Sequence, residues 1–309
     1  MTSSPLRGLV AAVALALMGT SSFAGVPRVV TDIPPVGSLV AQVMGDLGRP
    51  EVLTGKGADP HDLQLRPSQA VALAQADLVF WIGPELTPWL ARALQGAGGR
   101  AKSVSLLHLP GTKTLDYSAG QGDPAAAAGD HDHAHDEGAL NPHAWLDPDN
   151  ARLWLKAIAA DLAQADPAHA AQYRANAKEA EARVAQADAR ARQILAPVGT
   201  RPIIVYHDAL GYFARHYGLH LAGSIALGDA ATPGARRLAD IRGLLAKGDA
   251  VCVFPEAGVD PRLVQTVTQG TKVKIGAPLD PPGTMLAPGP KLYERLIEGM
   301  ARKIADCAG

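Results

Sequence analysis

The sequence has little net charge, few aromatic residues and almost no cysteine. Of 309 residues only 5% are Phe, Trp or Tyr, two are Cys, and 29 Lys+Arg stand against 30 Asp+Glu, for a formal net charge of −1. Without a broad basic excess, the chain is not expected to take nucleic acid or an anionic membrane surface as its main partner. The absence of any CxxC pair argues against a thiolate zinc cluster. Beyond the first residues no segment reaches the roughly 18 unbroken apolar residues of a membrane helix. Low charge with 47% hydrophobic residues excludes global disorder. Histidine is the exception to this scarcity, with ten residues.

Residues 1–24 read as a cleavable secretory signal. Arg7 supplies the positive region, Gly8–Met18 an apolar stretch too short to span a bilayer, and Ser22 and Ala24 the small side chains before a cut that leaves Gly25 first. A buried N-terminal helix is the alternative. No Cys lies near the cut to carry a lipid anchor. An exported chain meets an oxidising compartment, where disulfides persist. There Cys252, in AVCVF, and Cys307, near the C-terminus, could form a bridge pinning the last helix to a core strand. The chain-entropy value for such a loop is about 4 kcal/mol. A thiolate metal site is the other option for this pair.

The mature chain alternates short apolar runs with helical periodicity. VVTDI (29–33), EVLT (51–54), DLVFWIG (77–83) and KSVSLLH (102–108) read as strands, with helices over 38–47, 68–76 and 86–96 between them. From residue 201 the alternation resumes with strands at 202–206, 219–225, 250–254 and 272–276, and helices over 209–217, 234–247, 261–270 and 291–305. This predicts an α/β fold of two lobes with mostly parallel sheets flanked by helices. Between the lobes one helix follows Pro148, and a long one runs from Pro167 to Leu195. Ala170, Tyr173, Ala177, Ala180, Val184, Ala187, Ala191 and Ile194 form its apolar stripe. Small residues suit close packing on a globular body, so it reads as a rigid strut joining the lobes; a coiled-coil dimer is the alternative. The expected division is a signal (1–24), an N-terminal lobe (25–146) containing a mobile His-rich loop (117–139), a helical segment (147–200) and a C-terminal lobe (201–309).

Three histidines occupy loops expected near strand ends: His61 in GADPHDLQLRPS, His143 in NPHAWLDP and His207 after IIVY. Neutral imidazole is a common Zn²⁺ ligand, and three with one oxygen make a tetrahedral site. Asp280, in GAPLDPPGT, could supply the oxygen. His131, His133 and His135, among the acidic residues of DHDHAHDE, suggest an auxiliary metal-collecting loop. His108, His169, His216 and His220 read as structural or solvated. Asp62 and Asp208 could orient the ligands by adjacency, and Glu256 could either face the cleft or cap a loop.

The motifs HDLQLRPSQ, ADLVFWIGPEL, NPHAWLDP, YHDALGYFARHYGL, PGARRL and LDPPGT, in that order, resemble the zinc-binding solute-binding proteins of bacterial ABC transporters (cluster A-I). The resemblance covers nearly all of the mature chain. It implies a periplasmic, non-catalytic and monomeric protein that holds Zn²⁺ in an interlobe cleft and delivers it to a membrane permease. Carried over by motif, the ligands are His61, His143 and His207. Some zinc members use an acidic residue just before the first His, but Pro60 stands there, leaving Asp280 or water for the fourth position. Manganese members carry Glu where His207 stands, so this donor set favours zinc. Cys252 and Cys307 match disulfide positions of zinc members. A manganese or broad-specificity binder is the nearest alternative. A secreted zinc hydrolase is another, since three histidines and a water also serve catalysis, but no general base stands at motif spacing.

Overall fold

The computed structural model describes residues 25–96, 100–117, 139–226 and 233–309. The expected signal (1–24) and the loop histidines His131, His133 and His135 lie outside these. The ends of that loop come together, since the Tyr117 amide donates to the Ala139 carbonyl (2.9 Å) and Asp116 bridges Leu140.

The first lobe runs β1 (Val29–Thr31), α1 (Pro34–Met44), β2 (Glu51–Val52), α2 (Pro67–Gln75), β3 (Leu78–Trp81), α3 (Pro88–Gly96) and β4 (Lys102–Ser105). Its strands pair in parallel in the order β2-β1-β3-β4. β3 is buried on both faces, as a central parallel strand must be. Leu78 and Phe80 point into the main core, whereas Val79 and Trp81 pack beneath α2 and α3. The second lobe repeats the plan with β5 (Pro202–Val205), α6 (Gly211–Tyr217), β6 (His220–Ser224), α7 (Ala235–Lys247), β7 (Cys252–Val253), α8 (Arg262–Thr268), β8 (Lys274–Ile275) and α9 (Leu292–Ala308). Its parallel order is β6-β5-β7-β8. Gly218 ends α6 with φ of 70°, a left-handed cap that a Cβ disfavours.

Between the lobes lie α4 (Pro148–Ala165) and α5 (Ala170–Leu195). Every expected element is present, with shorter strands than the apolar runs suggested. The long helix also starts later, because Pro167–His169 forms a separate 3₁₀ turn before α5. Its stripe packs against α4, α9 and α1 rather than a second copy, with Tyr173, Ala177, Ala180, Val184, Ala187 and Ala191 buried. Leu195 takes the last buried place; Ile194 is only partly covered. One hydrophobic core spans β1, β3, the four packed helices, β5 and β7, so the strut is continuous with both lobes. Cys252 and Cys307 form a disulfide that ties α9 to β7. No helix among the described residues is long and apolar enough to cross a membrane.

This plan sends the carboxyl ends of the strands toward one region, where open α/β sheets place their ligands. The segments after β2, β5, β7 and β8 carry His61, His207, Glu256 and Asp280 respectively.

Candidate metal centre

His61, His143 and His207 converge from three separate parts of the chain. One ring nitrogen from each lies within 4.8 Å of the other two. The ring centroids stand 5.5 Å apart for His61–His143, 5.3 Å for His143–His207 and 6.4 Å for His61–His207. His143 and His207 are buried and His61 is half-buried. A cavity of about 150 Å³ adjoins the three rings, walled by Asp59, Tyr206, Glu256, Gly258, Pro282 and Thr284 among others. Three imidazoles around a small, partly open space are the donor set of a tetrahedral zinc site with one position left over.

Each ring is held by its local structure. His61 sits in a turn in which the Asp59 carboxylate accepts the His61 amide (2.9 Å), and Trp89 Nε1 donates to the neighbouring Pro60 carbonyl (2.7 Å). Asn141 Oδ1 accepts from both the amide (3.0 Å) and Nδ1 (2.9 Å) of His143. His207 Nδ1 pairs with Glu256 Oε2. With their Nδ1 sides engaged, His143 and His207 turn Nε2 toward one another at 3.4 Å. Two lone pairs that close repel, and a cation between them relieves the repulsion.

The His143 segment is also tied to the second lobe. Asn141 Nδ2 donates to the carbonyl of Asp208 (3.0 Å), next to His207, and Tyr212 Oη donates to the carbonyl of Asn141 (2.7 Å). Trp145, whose ring lies 5.0 Å from that of His143, donates from Nε1 to the Pro281 carbonyl (2.9 Å). The same Asn141 therefore orients one ring and links it to the segment bearing another.

Asp280 is buried two residues before Pro282, which lines the cavity. Its carboxylate accepts the amides of Thr284 (3.1 Å) and Met285 (3.0 Å), and it is not among the groups that converge within 4.8 Å. Burial pushes its carboxyl up, against the pull of those two amides.

The histidines expected to be structural or solvated behave so. His108 pairs with Glu85, His169 with Asp166, and His220 is exposed. His216 is bracketed by Asp147 (3.1 Å) and Asp188 (2.8 Å). Asp147, Asp149 and His216 do form a second convergent group, but Lys113 is already bonded to Asp149 at 2.6 Å and both His216 nitrogens are engaged. The side chains bonded to Nδ1 of His143 and His207 are not their sequence neighbours. They are Asn141, two residues upstream, and Glu256, which β-sheet pairing of β5 with β7 brings alongside. The Asn-Pro-His spacing held the signal for the first; for the second, the strand-end position of Glu256 allowed it to face the cleft but did not name His207 as its partner.

A family model described as "Zinc-uptake complex component A periplasmic" matches residues 29–307. The chain belongs to this family. The high-affinity zinc uptake system protein ZnuA of Paracoccus denitrificans (strain Pd 1222) is 46% identical to it over 318 residues, covering 97% of this chain and 98% of its own. The protein of the same description from Brucella abortus (strain 2308) is 36% identical over 321 residues, with 93% of each chain covered. A ZnuA deletion mutant solved with zinc bound shares the fold, with a TM-score of 0.76 at 24% identity over 92% of this chain and 98% of that one.

Proposed function

We propose that this protein captures Zn²⁺ in the periplasm and hands it to the permease of an ABC importer, without catalysing a reaction. His61, His143 and His207 hold the ion as cargo, and water fills the fourth position. The convergence of the three imidazoles carries this reading. A site of three nitrogens and no anionic donor suits zinc better than manganese, which prefers oxygen ligands. The names of the relatives point the same way. Neutral ligands leave the ion its full charge, which eases its later transfer. Release requires at least one imidazole to leave. Of the three, His61 stands on an exposed loop, whereas the segments of His143 and His207 are cross-linked through Asn141.

A competitive Zn²⁺/Mn²⁺ titration of the purified chain tests the assignment. Zinc should displace manganese, and His207→Ala should weaken zinc binding by about a hundredfold or more, beyond the usual cost of losing an outer partner. Manganese preference, or unchanged zinc affinity in His207→Ala, would contradict it.

A further inference from the structure

We propose that Glu256 is a positioning residue for the metal centre: it accepts the Nδ1 proton of His207 and thereby fixes the tautomer that offers Nε2 to the ion. This rests on the three-histidine reading above. An imidazole has one proton to place when neutral, and the nitrogen that donates it cannot ligate. The contact of Glu256 Oε2 with Nδ1 assigns that proton. The remaining nitrogen, Nε2, is the one that faces His143 Nε2.

The carboxylate is well anchored for the task. Glu256 forms a parallel bridge with Leu279, the Ala257 amide donates to the Leu279 carbonyl (2.7 Å), and the Leu279 amide donates to the Pro255 carbonyl (2.9 Å). Its backbone is thus an extension of the β7–β8 ladder, and its side chain is only 15% exposed. His207 itself is 9% exposed, so water competes little for its Nδ1.

His143 has the same arrangement with a neutral partner, Asn141. The difference matters because a hydrogen bond to a carboxylate is charge-assisted and raises the basicity of the ring's other nitrogen. His207 is therefore the stronger donor of the pair. The negative charge beside it also offsets part of the charge that three neutral ligands leave on the ion. Glu256 does this without occupying a coordination position.

The test compares Glu256→Ala, Glu256→Gln and His207→Ala with the parent chain, using zinc titration and ¹⁵N NMR of the metal-free imidazoles. In the parent, His207 should carry its proton on Nδ1. Glu256→Ala should release that tautomer and weaken zinc binding by about 10- to 100-fold. Glu256→Gln, whose amide oxygen can still accept the proton, should keep the tautomer and lose less than about tenfold. Zinc affinity in Glu256→Ala within about threefold of the parent, or a loss with the tautomer unchanged, would overturn the positioning role. Undiminished binding in His207→Ala would instead overturn the metal centre itself, so the two failures are distinct.

Discussion

A carboxylate in a loop near converging histidines can serve the backbone. Asp280 accepts two amide hydrogens in the turn that follows it, from Thr284 and Met285. Removing that acceptor strands two donors, each costing about 1–3 kcal/mol when buried. Asp280→Ala should therefore lower unfolding stability by about 2 kcal/mol or more while zinc affinity changes by less than about tenfold. Denaturant unfolding and zinc titration on the same sample check both halves. A loss of affinity matching that of His207→Ala would make Asp280 a ligand. The three histidines were legible in the sequence because each stands in an unusual loop context, at a predicted strand end or beside Pro142. Asp280 met the same test, and the sequence does not encode that its carboxylate also accepts backbone amides. Its motif marks a loop in the wall of the cleft, and the Thr284 and Met285 amides fix its direction.

The helices are locked together by charge as well as by the Ala-rich stripe. His216, from α6, lies between Asp147, which caps α4 by accepting the Asp149 amide (2.8 Å), and Asp188 on α5. Burial disfavours a charged ring, but hydrogen bonds to both aspartates and their charges outweigh it, so the His216 pKa is pushed up to about 9. Both aspartates pay for burial too, yet bonding to His216 holds each below the usual carboxylate range. In the unfolded chain the imidazole titrates near 6.5. The histidine's contribution is accordingly complete below about pH 6.5 and disappears as pH rises through about 9; that of the aspartates is lost as pH falls below about 4. His216→Gln should cost about 3 kcal/mol at pH 6, the range for breaking a buried ion pair, and progressively less toward pH 9.5. Thermal unfolding across that range checks the trend, and a deficit that grows with pH would contradict it. Because Asp147 begins the helix that follows His143, this network also anchors the His143 segment. The sequence marks His216 as structural or solvated, since Gly218 closes its helix and spoils the i, i+4 pair with His220. Its charged state was not legible, because Asp147 and Asp188 reach it only through tertiary packing.

Over the whole molecule, alternating periodicity disclosed two parallel sheets and a joining helix, since burial on both faces leaves continuous apolar runs in strands such as LVFW. Strand lengths and the 3₁₀ turn before α5 escaped that reading, because an apolar run continues past the last ladder hydrogen bond and Asp166-Pro167 marks a break without specifying its form. Near-zero net charge fits a carrier whose selectivity resides in one small cavity rather than across its surface. The architecture makes that cavity a composite: one lobe contributes His61, the segment entering α4 contributes His143, and the second lobe contributes His207 with Glu256. Such a site forms only when the whole chain is folded, and it can be located directly. Crystals of the zinc-loaded protein, measured at the zinc absorption edge, should show one strong anomalous peak about 2.0–2.1 Å from a nitrogen of each of these three histidines, with a water completing the tetrahedron. A principal peak elsewhere, or one bound to fewer than all three imidazoles, would contradict the assignment.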